Sequence, residues 1–233
     1  MPHGGGWRLF VFDFDGVLVD SYSCLPMVYE HVGGEIGLRA GELKAFVKRM
    51  IDAEDREELV RNYDRSAWWP MVLEEFGVRL GGDRLDGLVR EYWRMRGQLS
   101  ERADGAVELL RWLKGRGALL AILCGSDGLR SMKRERIDAS GLGGFFDDIL
   151  IIGEDVASRV DGLRSLMARH GTSRDETVLI DDKPEAVNDA DGIGVATVMV
   201  TFTGPLRSAW SRECSPQHRV GSVKEIRDLV PEG

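Results

Sequence analysis

The feature that most constrains this chain is a series of short apolar runs, each stopped by a polar turn and separated from the next by a helical stretch. The runs are 9–12 (Leu-Phe-Val-Phe), 118–123, 149–152, 177–180 and 196–200. Nearly unbroken apolar, β-prone runs of this length predict strands buried on both faces, as in a parallel sheet. Between them, 105–114 and 160–170 carry apolar residues at helical spacing and stop at Gly115 and Gly171. Strands alternating with helices predict right-handed βαβ units, hence an α/β fold built on a Rossmann-like parallel sheet. The segment 22–99 has no strand pattern. It reads as amphipathic helices, among them 42–51, 67–76 and 85–95, with Trp68, Trp69, Phe76, Tyr92 and Trp93 as a small core of its own. The predicted organisation is an α/β core of residues 1–20 and 100–233, with a helical cap of residues 21–99 inserted after the first strand.

Composition narrows the class of function. With 43% hydrophobic and 30% charged residues the chain is ordinary for a globular protein. No run of about 18 apolar residues predicts a membrane span, and segment 1–7 lacks a secretory pattern, so a cytoplasmic protein is expected. Cys24, Cys124 and Cys214 form no paired motif, and the four histidines show no zinc-ligand spacing. A net charge of −8 argues against a nucleic-acid partner, whose phosphates need Lys and Arg, but permits one small phosphorylated substrate in a pocket.

In parallel sheets ligands bind beyond the carboxyl ends of the strands, and here those ends are acidic. After the first run come Asp13-Phe14-Asp15-Gly16. Alternation along an extended segment points Asp13 and Asp15 the same way. Carboxylates that close raise each other's pKa unless a cation relieves them, and a divalent ion would leave Asp13 ionised as a nucleophile and Asp15 free to exchange a proton. The fourth run ends in Asp181-Asp182-Lys183-Pro184. These acids suit a hard cation, which takes oxygen ligands, and equally suit the cap of a following helix. The second run ends in Cys124-Gly125-Ser126, a small turn whose backbone amides could cradle phosphate, though most strand-to-helix turns carry Gly and Ser for conformational reasons.

Taken in order, these motifs resemble the haloacid-dehalogenase superfamily. The stretch 10–20 (Phe-Val-Phe-Asp-Phe-Asp-Gly-Val-Leu-Val-Asp) matches its first motif nearly letter for letter, and the helical insertion is similar to its cap. The resemblance implies that Asp13 attacks phosphorus to form an aspartyl-phosphate. Asp15 would protonate the leaving group and then activate water. Mg2+ would be held by Asp13, the Asp15 carbonyl and the Asp181-Asp182 pair, with Asp182 favoured over Asp181 as direct ligand. An acid at residue 15 fits an alkoxide leaving group, so a phosphatase is expected. A phosphomutase, and a member that binds Mg2+ and phosphate without turnover, are the alternatives. Two departures from the family pattern stand out. Cys124 occupies the place of a Ser or Thr that binds the transferred phosphoryl group, so Ser126 or backbone amides would substitute. No Lys occurs in 153–161, the third-motif region; Arg159 is the first candidate for its cation and Lys183 the second.

The remaining aromatics of 68–93 read as core rather than substrate contacts, and Arg90, Arg94 and Arg96 as a solvated face. Asp20 and Ser21 fall at the hinge into the cap. The segment 205–219 reads as a surface loop without assignable chemistry. Substrate identity and oligomeric state are not legible.

Overall fold

A computed structural model describes residues 6–231. The N-terminal residues 1–5, part of the segment read above as free of a secretory pattern, lie outside that range. Six strands form one parallel sheet in the order β5-β4-β1-β6-β7-β8: β1 is Leu9–Phe12, β4 Leu119–Gly125, β5 Asp148–Ile152, β6 Thr177–Asp181, β7 Ala196–Val200 and β8 His218–Val220. The five apolar runs are therefore the first five of these strands in chain order. The sixth lies at the end of the stretch expected to be a surface loop. His218–Val220 pairs with β7, a register that three residues of mixed polarity do not announce.

Alternation along the strands divides the core in two. Phe10, Phe12, Ile122 and Ile180 face α5 (Ala106–Gly115). Leu9, Val11, Leu123 and Leu179 face α7 (Arg159–His170) and α8 (Pro184–Asp191). The central strand β1 lies between β4 and β6, which belong to opposite windings of the chain. This is the switch point at which a doubly wound sheet opens a crevice.

Four helices, α1 (Leu25–Glu35), α2 (Ala40–Leu59), α3 (Arg65–Glu75) and α4 (Gly82–Leu99), form the inserted cap. The chain crosses into and out of it through a short antiparallel ladder, β2 (Val19–Asp20) against β3 (Glu101–Arg102). The cap buries its own apolar cluster, including Tyr29, Phe46, Trp69, Val72 and Tyr92. At its centre Glu54 is buried and accepts hydrogen bonds from Tyr29, Tyr92, Arg65 (2.6 Å) and Arg96 (2.9 Å). Arg96 also donates to the Ser21 carbonyl at 2.9 Å. It is 2% exposed, so it does not belong to a solvated face as expected, whereas Arg90 and Arg94 do. Four donors to one carboxylate make such a buried charge tolerable.

Cap and core also meet along a polar seam. Lys183 pairs with Glu58 of α2 at 2.8 Å, Arg61 with Glu185 at 3.0 Å, and Asp55 accepts from the Arg207 and Ser208 amides.

Candidate active site

The strand order brings the acidic turns together. Neighbouring strands lie about 4.8 Å apart, and β1 and β6 are neighbours, with Phe12 opposite Ile180. The residues that follow them, Asp13, Asp181 and Asp182, therefore share one spot, where one carboxylate oxygen from each lies within 4.8 Å of the others. Asp13 is 7% exposed and the other two are fully buried. The fit between the two turns is tight. Gly16 has φ +84°, and a Cβ there would run into Asp182 Oδ2, so only glycine allows the first turn to approach the second acid this closely.

Burial and the Asp181 charge raise Asp13 to about 7, against the opposing pull of Arg159 and Lys183. Asp182 is pushed well above the usual carboxylate range by burial, Asp181 and Asp13. Its Oδ1 is buried without a partner, while Oδ2 accepts from the Trp210 indole at 2.9 Å. Three crowded carboxylates with an unsatisfied inward oxygen fit a hard divalent cation.

Asp15 is held differently. Its carboxylate lies outside the three-acid group and pairs with Lys133 and Arg136 of α6 (Met132–Ala139), which also bind Asp127. Burial alone would raise Asp15, but these cations outweigh it and hold the group well below the usual range. Two acids and two bases balance here. On the cap side Trp93 packs over this cluster, its ring 5.0 Å from the Arg136 guanidinium and 5.9 Å from Lys133 Nζ.

The other expected residues divide as follows. Arg159 reaches the centre, pairing with Asp181 at 2.8 Å. Lys183 reaches it too, but its ammonium is taken by Glu58. Gly125 and Ser126 line the cavity, and Ser126 Oγ donates to Glu154 at 3.0 Å. Cys124 does not line the cavity. It is 1% exposed, in the core cluster with Ile122, because residues two apart along β4 share a face. Burial pushes its thiol far up, so it offers no thiolate.

Between the sheet edge and the cap lies a cavity of about 750 Å3. Asp13, Asp15, Lys133, Arg159 and Lys183 line it from the core, and Glu58, Tyr63 and Trp93 from the cap. The Tyr63–Asp64 backbone sits directly on Gly128, where a Cβ would meet the Tyr63 carbonyl at 2.6 Å. Residues not anticipated from sequence are Glu58, Lys133, Arg136 and Trp210. Trp210 comes from the segment read as an inert loop. It stacks on Phe202 at 3.9 Å and meets Tyr22 edge-on, which aims its N–H at Asp182.

A doubly wound sheet with a helical insertion after β1 and an acidic centre at the switch point defines an α/β protein whose ligand site lies between core and insertion. Residues 10–200 match the family model described as haloacid dehalogenase-like hydrolase, and the chain belongs to that family. It is 28% identical to a phosphoserine phosphatase of Thermus thermophilus, over 94% of this chain and 97% of that one. It is 24% identical to the pyrophosphatase PpaX of Halalkalibacterium halodurans, over 94% and 95%. Among solved structures, one from Thermotoga maritima provisionally assigned as a β-phosphoglucomutase superposes with TM-score 0.73 at 20% identity, over 95% of this chain and 97% of that one, a likeness of fold.

Proposed function

We propose that this chain is a magnesium-dependent phosphatase of small phosphorylated metabolites, with Asp13 as the nucleophile. The observation that carries this reading is the convergence of Asp13, Asp181 and Asp182 on one buried point with an unsatisfied Asp182 oxygen. When bound there, Mg2+ would neutralise the crowded carboxylates and polarise the substrate phosphate. Asp13 Oδ then attacks phosphorus, the P–O bond to the leaving group breaks, and an aspartyl-phosphate forms. Arg159 would balance charge on Asp181 and the phosphoryl oxygens, while the Gly125–Ser126 turn lines the same cavity, its Ser126 hydroxyl and amide held by Glu154 and the Ile152 carbonyl. Asp15 borders the same cavity. Its pairing with Lys133 and Arg136 keeps it anionic, which suits taking a proton from the water that releases phosphate and opposes giving one to the leaving oxygen. The phosphatase names of the two curated relatives support the reaction class.

The test is phosphate release from an aryl phosphate with Mg2+. Wild type is expected to turn over and Asp13→Asn to lose at least about 10^3-fold with its fold intact. Undiminished turnover in Asp13→Asn would refute the nucleophile. Sugar-phosphate isomer formation without phosphate release would instead identify a mutase, and binding of Mg2+ and phosphate without release a non-catalytic member.

A further inference from the structure

A second cavity, of about 480 Å3, lies on the far side of Arg136 from Asp15. Its walls come from the end of α4, from α6 and from the hinge ladder itself, since Val19 and Arg102, which pair across β2 and β3, both line it. Its floor is apolar, with Phe14, Val19 and Met132. Its charged groups are Arg94, Arg102 and Arg136 against a single acid, the exposed Glu135.

The arginine donors are incompletely used. Arg136 is 4% exposed, and its two terminal nitrogens bind Asp15 and Asp127 while Nε is buried without a partner. The backbone of α4 closes over that side chain at Gly97, where a Cβ would stand 3.2 Å from Arg136 Cγ, so Arg136 forms a wall of the cavity and its sealed Nε is no free donor. Arg102 gives Nε to the Ser140 carbonyl at 2.8 Å and, among the described residues, pairs with no acid. Arg94 has its partner, Glu91, at the surface. A cavity of this size with an apolar floor and convergent cationic donors has the make-up of a small-molecule site, and planar guanidiniums favour a carboxylate over a spherical anion.

The geometry points to a regulatory site at the cap hinge for a small amphipathic carboxylate, separate from the phosphate-binding cavity. Its apolar body would rest on Phe14 and Met132, and its carboxylate would meet Arg102 and Arg94. The ligand would then brace both chain crossings between cap and core, which Val19 and Arg102 mark.

Benzoate is a suitable probe, with benzylamine as its counterpart of similar size and opposite charge, followed by calorimetry and by chemical shifts of the hinge residues. Benzoate is expected to bind wild type and Asp13→Asn equally, since the site owes nothing to the nucleophile, and benzylamine to leave both unchanged. Arg94→Gln/Arg102→Gln is expected to weaken benzoate at least tenfold. Ala139→Trp, at an exposed lining position of α6 outside the ladder, fills the cavity without removing a charge and is expected to abolish binding even if the arginine variant folds poorly. No benzoate binding at millimolar concentration, equal binding of benzylamine, or binding unchanged by Ala139→Trp would overturn the proposal. Displacement of benzoate by inorganic phosphate would overturn it too, by assigning the binding to the main cavity. None of these outcomes bears on whether Asp13 is a nucleophile.

Discussion

Two groups of buried carboxylates lie side by side at the carboxyl edge of the sheet, and they are neutralised in opposite ways. Asp15 and Asp127 face Lys133 and Arg136, so acids and bases balance and every carboxylate has a cation in contact. Among the described residues, Asp13, Asp181 and Asp182 have a single cation in contact, Arg159 on Asp181, and Asp182 Oδ1 has no partner. The first group is complete as it stands. The second is short of positive charge by an amount that one divalent ion would supply. Charge balance, more than proximity, therefore separates the two acids of the Asp-Phe-Asp motif, which are only two residues apart in the chain.

That contrast is open to direct attack. The largest effect concerns leaving groups. If Asp15 remains locked to its cations during turnover, it cannot act as general acid, a contribution of about 10^2–10^4-fold. Aryl phosphates are then expected to exceed alkyl phosphates in kcat/KM by a factor of that order; comparable values would mean that Asp15 leaves its cations in the substrate complex.

Stability distinguishes the groups next. Lys133→Met strands buried carboxylates and is expected to cost about 3–5 kcal/mol in denaturant unfolding. Asp182→Asn, which replaces an acid that burial and its neighbours keep protonated in the metal-free fold, removes the cost of that protonation at neutral pH and is expected to stabilise the metal-free protein; a loss of stability there would break the comparison. The pH dependence follows the same division. Folded Asp13 keeps a proton up to about pH 7, whereas its ordinary value is 3.8. The folded state thus binds more protons between those values, and its stability falls as pH rises through them. Without metal the Tm is expected to fall between pH 4 and 7, and Mg2+ to restore it more at pH 7.5 than at pH 5, as read by scanning calorimetry. Asp15, held low, works in the other sense: its stabilisation is full above the ordinary carboxylate range and is lost only in acid.

The smallest effect is expected at Trp210. Trp210→Phe keeps the stack on Phe202 but removes the indole donor to Asp182, and second-layer partners of metal ligands are worth about tenfold or more in affinity. A Mg2+ titration with unchanged affinity would show that Asp182 is aimed by packing alone.

Much of this was legible in the sequence where local pattern decides the outcome. The strands that carry Asp13 and Asp181 are continuous apolar runs, and a parallel sheet brings the ends of such runs to one edge. Parity was legible too, though it works against Cys124: being two residues beyond Ile122, it shares that residue's core-facing side. What the sequence does not display are partners joined only by tertiary packing. Nothing local marks Arg96 as buried beside Glu54 when Arg94, two residues earlier on the same helix, is solvated. Lys133 and Arg136 meet Asp15 from more than a hundred residues away. Trp210 sits in a stretch without periodicity, and only its stack on Phe202 gives it a direction.

The cap helix α2 carries Glu54 and, one turn later, Glu58. The former ties the cap's own tyrosines and arginines together, and the latter grips Lys183 next to the acidic centre. Four residues apart on one helix, these two anchors link the cap's interior to the acidic edge of the sheet. A displacement that took α2 away from the sheet edge would separate Glu58 from Lys183 and leave a cation uncovered beside the acidic centre.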